Sequence, residues 1–325
     1  MPANLTPEYK AAEEEYRRAR DPQARLVCLE KMLSTIPKHK GTEKMQADLK
    51  RRIARLKEGL QKKGGRRGFA VTVEKEGAAQ VALVGPPNAG KSTLLECTTN
   101  ARAEVGDHPF STRAPVPGML QFENLQFQLV DLPPVSSEYM EPWVTDIIRG
   151  ADSALLVADA AAVDCLPQLE QVLEILQVKK IALDTTATPA ADQGPVRHLP
   201  TVVLAGKMDL DGAARGMELL RSRFSPAEVV PFSALEDDYS RLGQAIFRAN
   251  AIVRVYSKSP GKDPDRSRPF VMHRGDTLLD FARVVHKDFA EKLRYARVWG
   301  TGKFAGQRIQ RDQELADGDV IELHM

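Results

Sequence analysis

Val81-Ala-Leu-Val-Gly85-Pro-Pro-Asn88-Ala-Gly90-Lys91-Ser92-Thr93-Leu94-Leu95 runs from an apolar tetrad through a glycine-bounded loop into a helix-forming segment. The spacing is G-x-x-x-x-G-K-S, with a strand before it and a helix after it, the context a phosphate-binding loop requires. In such a loop successive backbone N–H groups curl around an oxyanion, and the new helix turns its positive end toward it. Lys91 adds a full charge, and Ser92 is placed to offer a hydroxyl to Mg²⁺. The expected cradle is therefore Gly85, Pro86, Pro87, Asn88, Ala89, Gly90, Lys91, Ser92 and Thr93. A plain glycine turn between strand and helix explains neither the lysine nor the serine.

Outward from this loop, residues 70–247 alternate strand-like and helix-like segments. The strands are expected at 79–84, 119–122, 126–130, 153–158, 201–205 and 229–232, and the helices at 91–100, 140–149, 166–177, 213–223 and 238–250. Such alternation implies an α/β fold, a mostly parallel sheet with helices on both faces. Ligands of these sheets sit at the carboxyl ends of the strands, so the loops there carry the next readings. Asp131 closes the strand Phe127-Gln-Leu-Val130, where P-loop proteins hold Mg²⁺ through an acidic group. Gly206-Lys207-Met208-Asp209 follows Thr201-Val-Val-Leu-Ala205. There the Asp209 carboxylate can pair with the N1–H and exocyclic amine of guanine, while the Lys207 stem lies along the base. Ser233 and Ala234, after Val229-Val-Pro-Phe232, are placed for a backbone contact to the same base.

Length and composition bound the rest. A chain of 325 residues, 42% hydrophobic and 28% charged, has room for two or three domains with their own cores. It has no apolar run near the roughly 20 residues of a membrane helix and opens on polar residues unlike a secretory leader. Cys28, Cys97 and Cys165 lie far apart without metal-ligand spacing, which suits a reduced, cytoplasmic setting. Cys97 and Cys165 read as small core residues.

The net charge of +2 hides segregation. Residues 1–67 carry 18 Lys and Arg against 9 Asp and Glu, residues 68–251 carry 14 against 24, and residues 252–325 carry 14 against 11. The basic first segment reads as two helical stretches, over 8–35 (interrupted at Pro22) and 43–63. The second has an apolar stripe of Met45, Leu49, Ile53, Leu56 and Leu60. Lys38-His-Lys-Gly41 would be the turn of this hairpin, and Gly64-Gly65-Arg66-Arg67-Gly68 a hinge. The charge split fits a polyanionic partner such as RNA, and equally an acidic domain that attracts its own basic arm.

Toward the C-terminus, strands are expected at 252–256, 268–272, 296–299 and 319–323, with a helix over 277–290 and a turn at Asp317-Gly318. That order reads as a small β-grasp. Trp299 and Phe289 read as core residues, and Arg294, Arg297, Lys303, Arg308 and Arg311 as the candidates for a phosphate-facing or simply solvated surface.

Taken together, these residues resemble a P-loop GTPase of the Obg/DRG branch (DRG, developmentally regulated GTP-binding protein). The resemblance rests on Gly85-Pro-Pro-Asn-Ala-Gly-Lys-Ser92, Pro109-Phe-Ser-Thr112 with Pro115 and Gly118, Asp131-Leu-Pro133, Lys207-Met-Asp209 and Ser233-Ala234. The stretch His39-Lys-Gly-Thr-Glu-Lys44 is similar to the DRG N-terminal region. Arg274-Gly-Asp-Thr277, His286-Lys-Asp-Phe289 and Gly318-Asp319-Val320 are similar to a TGS domain, a class associated with RNA, ribosome or protein contacts.

The resemblance implies a basic helical region over 1–67, a G domain over 68–250 and a TGS domain over 251–325. It also implies GTP or GDP as ligand, with Mg²⁺ on Ser92, Thr112 and Asp131. Lys91 and Thr112 would be the catalytic pair, and Asn88 a K⁺-positioning residue. Ribosome or RNA would be the partner, through the basic helix and the TGS domain, with room for an accessory protein.

The chain departs from that pattern at two places. The Mg²⁺-loop motif Asp-x-x-Gly ends here in Pro134, which has no N–H to give the γ-phosphate. Gly206 replaces the asparagine of Asn-Lys-x-Asp and removes one neutral hydrogen bond, worth roughly 0.5–1.5 kcal/mol. Val135 stands where Ras-type enzymes carry a water-orienting glutamine. The domain that DRG proteins insert after Asp-x-x-Gly is expected to be missing, since only 78 positions separate Asp131 from Asp209. A slow or partner-dependent GTPase, a non-hydrolysing scaffold and an ATPase are the competing expectations.

Overall fold

The computed structural model describes residues 71–99, 114–136, 140–185, 194–236, 238–300 and 303–324, and in the first 70 residues only 28, 29, 31, 32, 35, 49 and 51. The chain divides into two units, 1–70 and 71–325. In the first, the described residues are helical, with Leu29, Met32 and Leu49 buried; Leu49 belongs to the expected apolar stripe, whose other members lie outside the described residues. The expected hairpin turn and glycine hinge lie outside the described residues, as do Thr112 and the rest of 100–113.

The second unit holds two sheets. In the first, β1 (Ala79–Val84), β3 (Leu125–Asp131), β4 (Ser153–Asp159) and β6 (Arg197–Gly206) are parallel neighbours in the order β3-β1-β4-β6. β2 (Val116–Phe122) closes one edge antiparallel to β3. At the other edge, the first half of β6 pairs with β5 (Ile181–Asp184) and the second half with β7 (Val229–Pro231).

The central strands are mostly apolar because both of their faces are covered, and the buried Gln80 amide donates to Gln128 Oε1 of the neighbouring strand at 2.8 Å. Ala82 and Val84 of β1 turn to one side, among Ile148 of α2 (Pro142–Gly150), Leu169, Val172 and Leu176 of α3 (Cys165–Val178) and Leu220 of α4 (Ala213–Phe224). Val81 and Leu83 turn to the other, among Leu94 and Leu95 of α1 (Lys91–Thr98) and Leu242 and Ile246 of α5 (Ser240–Ala249). Each of these fully buried aliphatic side chains contributes about 1.5–3 kcal/mol.

The second sheet runs β11 (Gln307–Ile309), β10 (Tyr295–Trp299), β12 (Asp319–His324), β8 (Ile252–Ser257), β9 (Phe270–His273). β12 lies parallel to β8 at its centre, and the other pairs are antiparallel. One face packs Val253, Val255, Val298, Ile321 and Leu323 against Leu278, Phe281 and Ala282 of α6 (Leu278–Val285). Thr277 caps α6 in a box with Asp280: the Thr277 N–H donates to Asp280 Oδ2 at 3.0 Å and the Asp280 N–H to Thr277 Oγ1 at 3.4 Å. The arrangement is a β-grasp.

Three expectations change. The helix expected over 277–290 is two helices, because His286 is extended (φ −171°, ψ 145°) and caps α7 (Lys287–Lys292), its Nδ1 accepting the Asp288 N–H at 3.1 Å. β5 and β11 were not expected; at four and three residues they are too short for alternation to register. Trp299 is not a core residue. It lies half-exposed on the sheet face opposite α6, whereas Phe289 does pack against the core.

The two sheets meet through Arg254. Its guanidinium ion-pairs with Glu123 at the tip of the β2–β3 hairpin and bonds to Asp317 at 2.7 and 3.0 Å, and it lies 5.1 Å over the Phe247 ring. Beside it, the Asn124 amide donates to the Tyr256 hydroxyl at 2.8 Å and to the Arg266 carbonyl at 3.0 Å. The bonds from Asp317, chiefly, push the Arg254 pKa up, though burial works against it. Burial opposes the Asp317 charge, but the hydrogen bonds and charge of Arg254 outweigh it and hold that carboxyl below its ordinary value.

Candidate functional site

The carboxyl ends of β1, β3, β4, β6 and β7 converge on one edge of the first sheet, and the residues singled out in the sequence lie there. Gly85 leaves β1 directly against β4. A Cβ at this position would stand 2.5 Å from the Val157 carbonyl oxygen, so only glycine lets the loop start here. Asn88 (φ 59°) and Gly90 (φ 93°) turn the loop through left-handed conformations into α1. Pro87 and Asn88 are exposed, and Ala89 is buried beneath the loop. The Lys91 ammonium is buried under it and donates to the loop's own carbonyls, to Gly85 O at 3.1 Å and Pro86 O at 2.9 Å. A phosphate in the loop would offer this cation stronger, anionic acceptors.

Ser92 and Thr93 open α1 on its exposed side. Asp131 arrives from the end of β3, in register with Leu83, and its Oδ2 accepts the Ser92 hydroxyl at 2.6 Å. Its Oδ1 is buried without a hydrogen-bond partner. A buried carboxylate oxygen left orphaned beside a serine hydroxyl is the donor set a hard divalent cation takes, directly or through its water. Ser92 and Asp131 therefore fit Mg²⁺; the third expected ligand, Thr112, lies outside the described residues.

After Asp131 the chain does not open outward. Leu132 and Val135 are buried in the α2–α3 side of the core, and the Val135 N–H donates to Gly85 O at 3.2 Å. Pro133 and Pro134 lie between them, half-buried and without N–H groups. The segment facing the far end of the phosphate loop thus presents no free backbone donor from 133 to 135.

The side expected to read a base is laced together by the ends of three strands. The Met208 N–H donates to Phe232 O at 3.1 Å, Phe232 N–H to Ala205 O at 2.8 Å, and Ala160 N–H to Gly206 O at 3.1 Å. Asp209 is exposed, with one oxygen accepting the buried Ser233 hydroxyl at 2.8 Å. The same hydroxyl oxygen accepts the Leu235 N–H at 3.1 Å. Ala234 is exposed, its carbonyl 4.0 Å from Cys97 Sγ of α1, which ties the base loop to the helix of the phosphate loop. Lys207 takes a left-handed backbone (φ 58°), and its ammonium meets Asp159 Oδ2 at 2.5 Å. At Gly206 the phosphate loop comes close: an added Cβ would lie 3.1 Å from Ala158 O and 3.5 Å from Ala89 O.

Two participants escaped the sequence reading. Asp159 anchors Lys207 and is itself braced by the Ala161 N–H at 3.1 Å. It could have been found by the signal that found Asp131, an acid closing an apolar strand. The Val135 N–H, spent on Gly85, has no sequence signal, since backbone donors look alike in any residue.

Comparison with known proteins agrees with this fold. Residues 80–187 match the 50S ribosome-binding GTPase family model, and residues 253–325 the TGS domain model. A GTP-binding protein of Methanocaldococcus jannaschii is 29% identical over 381 aligned positions, covering 98% of this chain and 94% of that one. The alignment is longer than this chain, so the relative carries stretches absent here. Developmentally-regulated G-protein 1 of Arabidopsis thaliana is 28% identical, covering 92% of this chain and 90% of its own. The solved YchF GTPase of Schizosaccharomyces pombe superposes with a TM-score of 0.54 at 11% identity, over 77% of this chain and 99% of that one, a likeness of fold. The chain joins a P-loop GTPase domain to a C-terminal TGS domain, and along nearly its whole length it is similar to DRG-type GTP-binding proteins.

Proposed function

We propose that this protein binds GTP and GDP at the edge built from Gly85–Thr93, Lys207, Asp209, Ser233 and Ala234, turns GTP over slowly or only with a partner, and acts on RNA or at the ribosome. The observation that carries the reading is the pairing of Asp209 with the Ser233 hydroxyl across from the intact phosphate loop. Ser233 bonds one carboxylate oxygen of Asp209, and the outward-facing carboxylate can accept the N1–H and exocyclic amine of guanine. Adenine offers no such donor pair, which argues against the ATPase alternative.

On the phosphate side, Lys91 would exchange the carbonyls of Gly85 and Pro86 for β/γ oxygens. Ser92, Asp131 and, by family pattern, Thr112 would hold Mg²⁺, which would draw off charge from the phosphates when bound. Asn88, exposed on the loop, would position K⁺, as the resemblance implies. The missing N–H at Pro134 and the burial of Val135 support slow turnover. They also favour a second reading, a scaffold that holds nucleotide without hydrolysing it. RNA or ribosome action is supported by the net charge of the first 67 residues and by the family description that matches residues 80–187.

Calorimetric titration with GTP, GDP and ATP, with and without K⁺, tests the reading. Guanine nucleotides should bind with Mg²⁺ and ATP should not compete. No binding of either guanine nucleotide at millimolar concentration would end it. A single-turnover assay then separates the slow enzyme from the scaffold.

A further inference from the structure

We propose that the uncovered half of the TGS sheet face, built on Tyr295, Arg297, Trp299 and Arg308, binds single-stranded RNA. The inference rests on the reading that the protein acts on RNA and names the surface that would do so.

Alternation along the strands sorts the side chains. Ala296, Val298, Ile321 and Leu323 face α6 in the core. Tyr295, Arg297, Trp299, Glu322 and His324 therefore face the other way, joined by Arg308, which stands opposite Arg297 in the β10–β11 register. The G domain covers the other half of this face: Asn124 and Glu123 engage Tyr256 and Arg254, and Val271 packs into the G-domain core. The β10–β11 half has no such cover among the described residues.

Its chemistry is one-signed. Glu322, the acid these strands direct to this face, is buried, paired with Lys258 Nζ at 3.5 Å and within 2.6 Å of His324 Nε2. Arg297 and Arg308 are exposed and directly opposed across an antiparallel pair, where like charges repel, and Glu322, opposite Arg297 on its other side, is paired with Lys258. Neither guanidinium has a carboxylate partner among the described residues. Planar groups are stacked beside them. The Tyr295 ring lies 4.3 Å from His324 and 4.2 Å from the Arg308 guanidinium, and Lys258 sits 4.3 Å over Trp299.

An exposed guanidinium plane backed by an aromatic ring accepts an unpaired base, and the adjacent Arg297 accepts the phosphate that follows. Duplex would not offer a free base to this stack. Of the five basic residues singled out in the sequence, Lys303 and Arg311 are withdrawn, to Asp319 and the Leu293 carbonyl respectively.

The test is binding of a labelled, mixed-sequence single-stranded RNA of about 12 nucleotides to the full-length protein, by anisotropy at several salt concentrations. Each lost phosphate contact should remove about 0.7 from the slope of log K against log[salt]. R297Q/R308Q should therefore bind about 25-fold more weakly at about 0.1 M salt, with a slope shallower by about 1.4. The charge-matched control R215Q/R221Q, on exposed positions of α4, should match the unsubstituted protein. Equal loss in both double variants overturns the surface but leaves RNA binding standing. Absence of RNA binding by the unsubstituted protein overturns both. As a second measurement, W143F leaves Trp299 as the sole tryptophan, and its emission should be quenched by the RNA. Quenching by a poly-glutamate peptide and not by RNA would reassign the face to an acidic protein and overturn the proposal.

Discussion

Replacing Pro134 by glycine should return γ-phosphate sensing to this pocket. From 133 to 135 the chain offers that end of the phosphate loop no free backbone donor: Pro133 and Pro134 have no N–H, and the Val135 N–H is committed to Gly85 O at 3.2 Å. A glycine N–H at 134 would donate to a charged phosphate oxygen, a bond worth about 1.5–3 kcal/mol. Ordering the more flexible glycine would return about 0.5–1 kcal/mol of that. The remaining 1–2 kcal/mol predicts a GTP-over-GDP preference raised about 5- to 30-fold. The assay is the ratio of Kd for GDP to Kd for a non-hydrolysable GTP analogue, by calorimetry with Mg²⁺. A ratio cancels any change common to both nucleotides, including misplacement of the whole loop. A ratio within twofold of the unsubstituted protein, in a variant with unchanged melting, would refute the argument that the proline is what blinds the pocket.

Restoring asparagine at Gly206 should tighten GDP and GTP alike by roughly threefold to tenfold through one added neutral hydrogen bond; the 3.1 Å approach to Ala158 O must relax by a few tenths of an ångström, and unchanged affinity by titration would count against the base-reading assignment. Gly85→Ala should lower stability by about 1–3 kcal/mol, seen as a drop in Tm, because its Cβ would press 2.5 Å from the Val157 carbonyl. Arg254→Ala should cost about 2 kcal/mol in thermal or urea melts by stranding Asp317 and loosening Glu123. Because the folded pKa of Asp317 lies below its ordinary 3.8, its share of stability is full above that value and is lost as pH falls through the lower folded one. The acid limb of the stability curve should therefore flatten in Arg254→Ala, and an unchanged limb would show that the pair does not report on folding.

How legible the fold and site were depended on scale. The central strands announced themselves because a strand covered on both faces is apolar along most of its length, as Ala154-Leu-Leu-Val-Ala158 is. Single-residue placement was legible where the sequence marks a strand end or the loop after it, as at Lys91, Asp131 and Asp209, which the fold brings to one edge of the sheet. It was illegible where the backbone acts, as in the Val135 N–H, or where a residue is used by register. Trp299 is the clearest case. Its apolarity suggested core, but its place one residue beyond Val298 puts it on the opposite face. The same parity sets Arg297 against Arg308, which no spacing in the sequence foretells.

The geometry also decides how the two sheets can communicate. β2 and β3 form one hairpin whose far end carries Asp131 to the phosphate loop and whose tip, Glu123-Asn124, grips the TGS domain through Arg254, Tyr256 and Arg266. A single stiff element thus spans both sites. Transmission of nucleotide state along it requires an end with two arrangements. In related GTPases the segment after the Mg²⁺-loop aspartate supplies them by ordering on the γ-phosphate. Here that segment is Pro133-Pro134-Val135, with the valine buried and bonded to the phosphate loop. The hairpin is then a fixed strut, holding the TGS face at one orientation to the pocket. On this argument Pro134→Gly should do more than restore discrimination between nucleotides. It should make RNA affinity at the TGS face depend on whether GTP or GDP is bound, a dependence the unsubstituted protein should lack. Equal RNA affinity in both nucleotide states of the variant, with the nucleotide preference restored, would mean the strut is rigid for reasons beyond its prolines.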